Sequence, residues 1–206
     1  MTQVERYRAR ERINHWAIAL CFVLLALSGL ALFHPSLFFL THLLGGGVWT
    51  RILHPFIGVL MFALFAALAL RLWHANWITA LDRQWLKQWQ DVLAGRKERL
   101  PDAGRFNGGQ KLLFWVMAGS MLILLLTGIG LWRPYFAPLL PITLVRWAAL
   151  LHSAAAVVLI LGIVVHVYAA FWVKGTLDAM LGGKVSAAWA RKHHRAWYQS
   201  LQDRQP

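Results

Sequence analysis

The chain has 206 residues, 59% of them hydrophobic and 14% charged, with a formal net charge of +13. Apolar content at that level, gathered in blocks rather than alternating, excludes an ordinary soluble domain. The basic residues flank the apolar blocks instead of forming one patch, which excludes nucleic acid as a partner in spite of the charge.

An N-terminal arm carrying Arg6, Arg8, Arg10 and Arg12 leads into the first apolar stretch, residues 13–33. A bilayer-crossing helix needs about 20 mostly apolar residues, and this stretch has them. It is too long for the apolar core of a secretion signal, and no A-x-A-like site leads into a soluble domain, so it reads as a retained span. The single cysteine, Cys21, lies inside it and reads as a buried small hydrophobe. No CxxC or CxxCH motif is present, which argues against covalent c-type haem and a thiolate-bound cluster. A short connection around 43–49 contains Gly45-Gly46-Gly47, and the second span covers 52–73. The longer connection 75–110 predicts an amphipathic surface helix over 81–93, with Trp85, Leu86, Trp89 and Leu93 on one side. The third span covers 112–132. A proline-rich connection over 134–141 cannot stay helical. The fourth span covers 147–172 and leads into a basic tail. The expected fold is an all-α membrane protein, a four-transmembrane-helix bundle forming one integral-membrane domain over 1–206.

Charge sets the expected orientation. Eighteen basic residues fall in the N-terminal arm, the connection after span two with its edges, and the tail, which includes Arg204. Only Arg51, Arg133 and Arg146 fall on the other side. By the positive-inside rule both termini are cytoplasmic. Tryptophans at the span ends fit interfacial belts and need no chemistry.

His152 and His166 lie 14 residues apart in span four. On a helix they are about 21 Å apart and within about 40° of one face. Imidazole inside a bilayer is costly unless something binds it, so two on one helix point to two cofactors at two depths. Spans one and two supply His15 and His54. Depth alone pairs His54 with His152 near the outer surface and His15 with His166 toward the inner one. Two axial imidazoles saturate a haem iron, which suits electron transfer rather than chemistry at the metal. Zinc is disfavoured, because neither pair has a carboxylate or cysteine to complete a tetrahedron. Gly29, Gly58 and Gly162 lie where small residues would admit a porphyrin between helices. His34, His42, His74, His193 and His194 lie at or beyond span ends and read as interface or headgroup contacts. A cofactor-free membrane anchor or a transporter relaying protons through histidines is the reading of a different class.

Segments in order along nearly the whole chain resemble the b-type cytochrome, or gamma, subunit of membrane-bound respiratory formate dehydrogenase. They include ERINHW (11–16), RILHPFIG (51–58), GRFNGGQKLLFW (104–115), LLHSAA (150–155), HVYAAFWVKG (166–175) and GKVSAAWARKHHRAWY (183–198). The cytochromes b of nickel-iron hydrogenases share the four-helix, two-haem plan, and a subunit serving a hydrogenase or another periplasmic oxidoreductase is the nearest alternative. The resemblance implies ligation of two haem b by His15, His54, His152 and His166. It implies an iron–sulfur (beta) subunit with its own transmembrane helix, a catalytic (alpha) subunit carrying molybdenum or tungsten on a pterin, and a higher oligomer of the three-subunit unit. Formate oxidation would belong to the alpha subunit, since nothing in this chain performs it. The resemblance also implies a bacterial inner-membrane location and a quinone site, for menaquinone or ubiquinone, on the cytoplasmic side near His166 and Asn107-Gly108-Gly109-Gln110. Asn107 and Gln110 offer amide donors there, and the glycines let backbone approach a flat ring. A polar helix cap before span three is the plainer reading of the same residues. Lys111 and Arg105 are candidate partners for haem propionates.

Overall fold

A computed structural model describes residues 2–203, so Arg204 lies outside the described residues. A short strand, β1 (Gln3–Glu5), precedes α1 (Ala9–Phe33), and a 3₁₀ helix (Pro35–Leu44) leads to α2 (Gly47–Leu72). The connection that follows holds α3 (Ala80–Lys87) and α4 (Trp89–Leu93). Then come α5 (Gly108–Leu131), α6 (Ile142–Trp172), α7 (Thr176–Gly182), β2 (Lys184–Ser186), α8 (Ala187–His193) and α9 (Arg195–Gln202). Among the described residues, four helices are long and apolar enough to cross a membrane: α1, α2, α5 and α6.

Each membrane helix begins four or five residues before the expected span, and α2 and α5 end one residue short of it. Local capping explains the clearest case. Asn107 and Gln110 form a reciprocal cap: the Gln110 amide donates to Asn107 Oδ1 at 2.9 Å, and the Asn107 amide donates to Gln110 Oε1 at 3.0 Å. Two otherwise unpaired backbone N–H groups are satisfied, and α5 starts four residues ahead of its apolar run. The predicted surface helix over 81–93 is two helices instead, because Gln88 (φ −91, ψ 28) leaves the helical region. The first is tied down by a capping box between Thr79 and Asp82 and by the packing of Trp85. In the second, Trp89 and Leu93 are exposed.

The chain divides into two compact units. The first consists of 13–70 and 116–165. One buried side chain from each long helix meets at its centre: Cys21 of α1, Met61 of α2, Met121 of α5 and Leu159 of α6. Ile18, Phe22, Leu25, Ile57, Phe65, Met117 and Leu124 pack around them. Thioether and thiol side chains fill irregular gaps well. Asn14 adds a polar tie, its Nδ2 donating to the Leu64 carbonyl at 3.0 Å. The outward faces are also apolar: Leu20, Leu126, Leu161 and Val164 are all exposed. A soluble protein rarely tolerates such a surface, whereas hydrocarbon accepts it without cost.

The second unit consists of the chain up to residue 12, then 71–115, then from 166 on. Its two strands pair antiparallel, with Gln3 opposite Ser186, Val4 opposite Val185 and Glu5 opposite Lys184. Ala179, Val185 and Ala190 are buried, with Val4, Tyr7, Trp189 and Trp197 against them. Gly183 is required at its corner. Its φ is +80°, and a Cβ there would stand 2.8 Å from the Tyr7 carbonyl oxygen. Arg6 is buried, and its guanidinium lies 4.4 Å from the Trp197 ring centre. Its Nη2 donates to the Arg105 carbonyl.

His194 closes this arrangement, in contrast to the expected headgroup role. It is buried, its Nδ1 donates to the Gly104 carbonyl at 2.8 Å, and its Nε2 accepts from Arg6 Nη2 at 3.3 Å. Burial, reinforced by the neighbouring Arg6 charge, pushes its pKa down to about 3. Between the ordinary imidazole value of 6.5 and about 3, an unfolded chain binds a proton that the folded unit refuses. Stability of this unit therefore falls as pH is lowered through that window. Amide hydrogen exchange across 183–198, corrected for intrinsic rates, should rise on going from pH 7 to pH 5. The limit is about tenfold per pH unit. His194→Gln should flatten that dependence.

Candidate functional site

Two of the four span histidines meet inside the first unit. His54 of α2 and His152 of α6 face each other with ring centres 6.5 Å apart and planes inclined by 60°. Each ring is held by a hydroxyl from another helix. Ser28 of α1 lies 2.7 Å from His54 Nδ1, and Thr127 of α5 lies 2.9 Å from His152 Nδ1. Both hydroxyls spend their one hydrogen on their own helix: Ser28 donates to the Leu24 carbonyl at 2.6 Å, and Thr127 donates to the Ile123 carbonyl at 2.6 Å. With the hydroxyl hydrogens on these carbonyls, each oxygen is the acceptor, and the network favours imidazoles with hydrogen on Nδ1. That leaves the Nε2 lone pair of each ring available to a metal.

A glycine follows each hydroxyl residue. A Cβ on Gly29 would stand 3.5 Å from His54 Cε1, and one on Gly128 would stand 3.3 Å from His152 Cε1. The Ser28-Gly29 and Thr127-Gly128 dipeptides thus meet the two rings in the same way: the hydroxyl reaches Nδ1, and the glycine keeps a side chain away from the Cε1 edge. Gly29 borders the histidine itself. Gly58 is more open, with Leu25 Cδ2 at 4.0 Å from a Cβ there. Gly162 is buried on α6. Sequence reasoning missed Ser28, Thr127 and Gly128. The available signal was a hydroxyl residue beside a glycine in two otherwise apolar runs.

The pair fits haem iron. A metal–imidazole bond is about 2 Å. Two in line, with the reach from each ring centre to its nitrogen, span roughly 6 Å, close to the spacing seen here. Among the described residues no group of three or more His, Cys, Asp or Glu could hold a metal ion. Two imidazoles with no further donor suit a metal whose other ligands come from a macrocycle. Of the remaining pair, His15 lies on α1, within the first unit, edge-on to Trp16 at 5.3 Å, and His166 lies on α6, within the second unit.

The Asn107–Gln110 segment serves as the polar cap described above. The cap uses the carbonyl oxygen of each side-chain amide and leaves each NH2 group out of it. The glycines between them have a packing reason. A Cβ on Gly108 would stand 2.7 Å from the Asp82 carbonyl, and one on Gly109 would stand 3.0 Å from the Trp85 ring. The flat ring that approaches this backbone is therefore the Trp85 indole. Lys111, a candidate propionate partner, is buried and donates to Asp82 Oδ2 at 2.7 Å and to the Trp77 carbonyl at 3.1 Å. Burial alone would raise the pKa of Asp82. Hydrogen bonds from Lys111 and Thr79 outweigh it and hold the carboxyl below its ordinary value. Arg105, the other candidate, pairs with Glu11 at 3.2 Å. Both cations have partners within the chain.

The sequence profile of the family described as prokaryotic cytochrome b561 matches residues 6–183. The chain is 48% identical over 198 residues to the formate dehydrogenase cytochrome b556(fdo) subunit of Escherichia coli K12, covering 96% of this chain and 93% of that one. It is 41% identical over 199 residues to the nitrate-inducible formate dehydrogenase cytochrome b556(Fdn) subunit of the same organism, covering 97% and 92%. It is 44% identical over 197 residues to a formate dehydrogenase cytochrome b556 subunit of Haemophilus influenzae, covering 96% and 83%.

The packing around Gly108 generates a direct test. Gly108→Ala should lower stability by about 1–3 kcal/mol through overpacking, although alanine is the better helix former by about 1 kcal/mol. Gly119→Ala, where nothing lies within 4 Å of a Cβ, should leave stability level or slightly raised. Thermal unfolding followed by tryptophan fluorescence separates the two.

Proposed function

Because the chain belongs to the prokaryotic cytochrome b561 family and is similar over nearly its whole length to formate dehydrogenase cytochrome b556 subunits, we propose that it is the cytochrome b membrane subunit of a formate dehydrogenase. The observation that carries the reading is the His54–His152 pair, ring centres 6.5 Å apart, with Nδ1 of each ring beside a hydroxyl from another helix. His54 and His152 hold an outer haem b, and His15 and His166 an inner one. When bound, these groups supply reversible one-electron transfer.

The chain is a multi-pass protein of the bacterial inner membrane with both termini in the cytoplasm, the side that carries most of its arginine and lysine. Its partners are an iron–sulfur subunit on the periplasmic side, with a transmembrane helix of its own, and a molybdenum- or tungsten-pterin catalytic subunit that oxidises formate. Electrons pass from the iron–sulfur subunit to a quinone at the cytoplasmic side. Asn107 and Gln110 donate from their NH2 groups to the quinone oxygens, with His166 as the third candidate. Protons for the quinol come from the cytoplasm. Negative charge then moves inward, and each elementary charge is worth about 2.3 kcal/mol per 100 mV. The complex conserves energy as half of a redox loop, with no proton channel through this chain.

Ligand replacement tests the reading. Wild-type complex should contain two haem b per chain. His54→Ala and His152→Ala should each halve that number and leave the other haem spectrum intact. A full complement in either variant overturns the pairing. For the quinone site, Asn107→Asp keeps a carboxylate oxygen for the cap and removes the NH2 donor. It should preserve both haem spectra and slow quinone reduction by roughly 3- to 10-fold, the worth of one hydrogen bond. Parental turnover would move the quinone elsewhere.

A further inference from the structure

We propose that Ser28 and Thr127 are positioning residues for the outer haem: their hydroxyls fix the tautomer and rotation of His54 and His152 and tune the reduction potential of the iron those rings hold. The inference rests on the proposed ligation of haem by His54 and His152.

The geometry is the same on both sides. Each hydroxyl stands between a ring Nδ1 and a helix carbonyl four residues back, at 2.7 and 2.6 Å for Ser28 and at 2.9 and 2.6 Å for Thr127. The carbonyl takes the hydroxyl hydrogen, and the hydroxyl oxygen takes the ring hydrogen. Ser28 is 1% exposed, so no solvent competes for this role. A ligating imidazole whose N–H is accepted by a neighbour is more basic toward the metal. A more basic ligand favours ferric over ferrous iron and lowers the potential. Each hydroxyl is itself polarised by its own carbonyl bond in a low-dielectric interior, which strengthens its acceptance. Ser28 and Thr127 come from two helices that carry no ligand of this pair. The four long helices of the bundle therefore all contribute to one centre, two by ligation and two by support.

Glycine supplies the second half of the argument. A Cβ at Gly29 or Gly128 would stand 3.5 or 3.3 Å from the Cε1 edge of the ring it faces, so glycine keeps that edge clear of a side chain and leaves the hydroxyl to set the ring orientation. Ring orientation sets the low-spin ferric signal seen by electron paramagnetic resonance, so positioning has a readout apart from turnover.

The test uses the purified complex with Ser28→Ala, Thr127→Val and Thr127→Ser. Thr127→Val keeps the shape and removes the hydroxyl, and Thr127→Ser keeps the hydroxyl. Haem content, a redox titration and the low-spin ferric spectrum are measured for each. Ser28→Ala and Thr127→Val should raise the midpoint potential of one haem and shift its ferric signal. The second haem, an internal reference, should not move. Thr127→Ser should match wild type. Loss of the outer haem in Thr127→Val with retention in Thr127→Ser also supports a hydroxyl role. Loss in both assigns the residue to packing and overturns the proposal. Full haem content with unchanged potentials and ferric signals in Ser28→Ala and Thr127→Val overturns it too. A wild-type complex without haem fails the underlying reading instead, and the His54→Ala and His152→Ala haem counts keep the two failures apart.

Discussion

An imidazole N–H has to be bonded when it lies where water does not reach, and the first unit is arranged around that requirement. Two rings enter the bundle from α2 and α6, and each meets a hydroxyl from α1 or α5. The hydroxyls need an outlet of their own and find it in their helix carbonyls. Nothing polar is left unmatched in these two relays, and the direction of every hydrogen follows. The consequence for function is that hydrogen on Nδ1 leaves the Nε2 of each ring as the nitrogen able to bind a metal. A core of Cys21, Met61, Met121 and Leu159 holds the four helices together.

The second unit solves a different problem, that of organising charge beside apolar helices. Arg6 and Lys111 are buried, and each donates to one backbone carbonyl and bonds one further side chain. Arg6 is joined to His194, which is neutral because burial and the adjacent guanidinium both oppose its protonation. The strand pairing of Val4 with Val185 joins the two ends of the chain. The loop before α5 is thereby held at Gly104 and Arg105, just ahead of the two amides proposed to meet quinone. Trp85 and Asp82 press on Gly108 and Gly109 from the α3 side. The amide donors of Asn107 and Gln110 are carried on a helix start anchored from several directions, which is what a site needs if its donors are to stay in place.

The two units share the economy expected of a protein in lipid. Polar ties inside the membrane helices include the histidines with their hydroxyl partners and Asn14 with the Leu64 carbonyl. Apolar packing alone gives little preference between helix neighbours in hydrocarbon. Directed contacts of this kind contribute to choosing them.

The number of apolar spans, the gathering of positive charge in segments between and beyond them and the four histidines inside apolar runs were all legible in the amino-acid order. Each depends on local composition: about 20 apolar residues make a span wherever they occur, and an ionisable side chain among them is conspicuous. The tail pairing with the N-terminal arm was not legible. It joins three residues to three others some 180 positions away, and neither segment carries an alternating pattern long enough to announce a strand. His194 looked like a surface residue of a basic tail, because only folding brings Arg6 and Gly104 against it. Asn107 and Gln110 were visible as polar residues at a helix start, but only their geometry assigns their carbonyl oxygens to the cap. Ser28 and Thr127 stood in plain sight in the sequence. Their bearing on His54 and His152 belongs to the tertiary structure, because a hydroxyl acquires an acceptor role only when a ring nitrogen from another helix arrives within 3 Å of it.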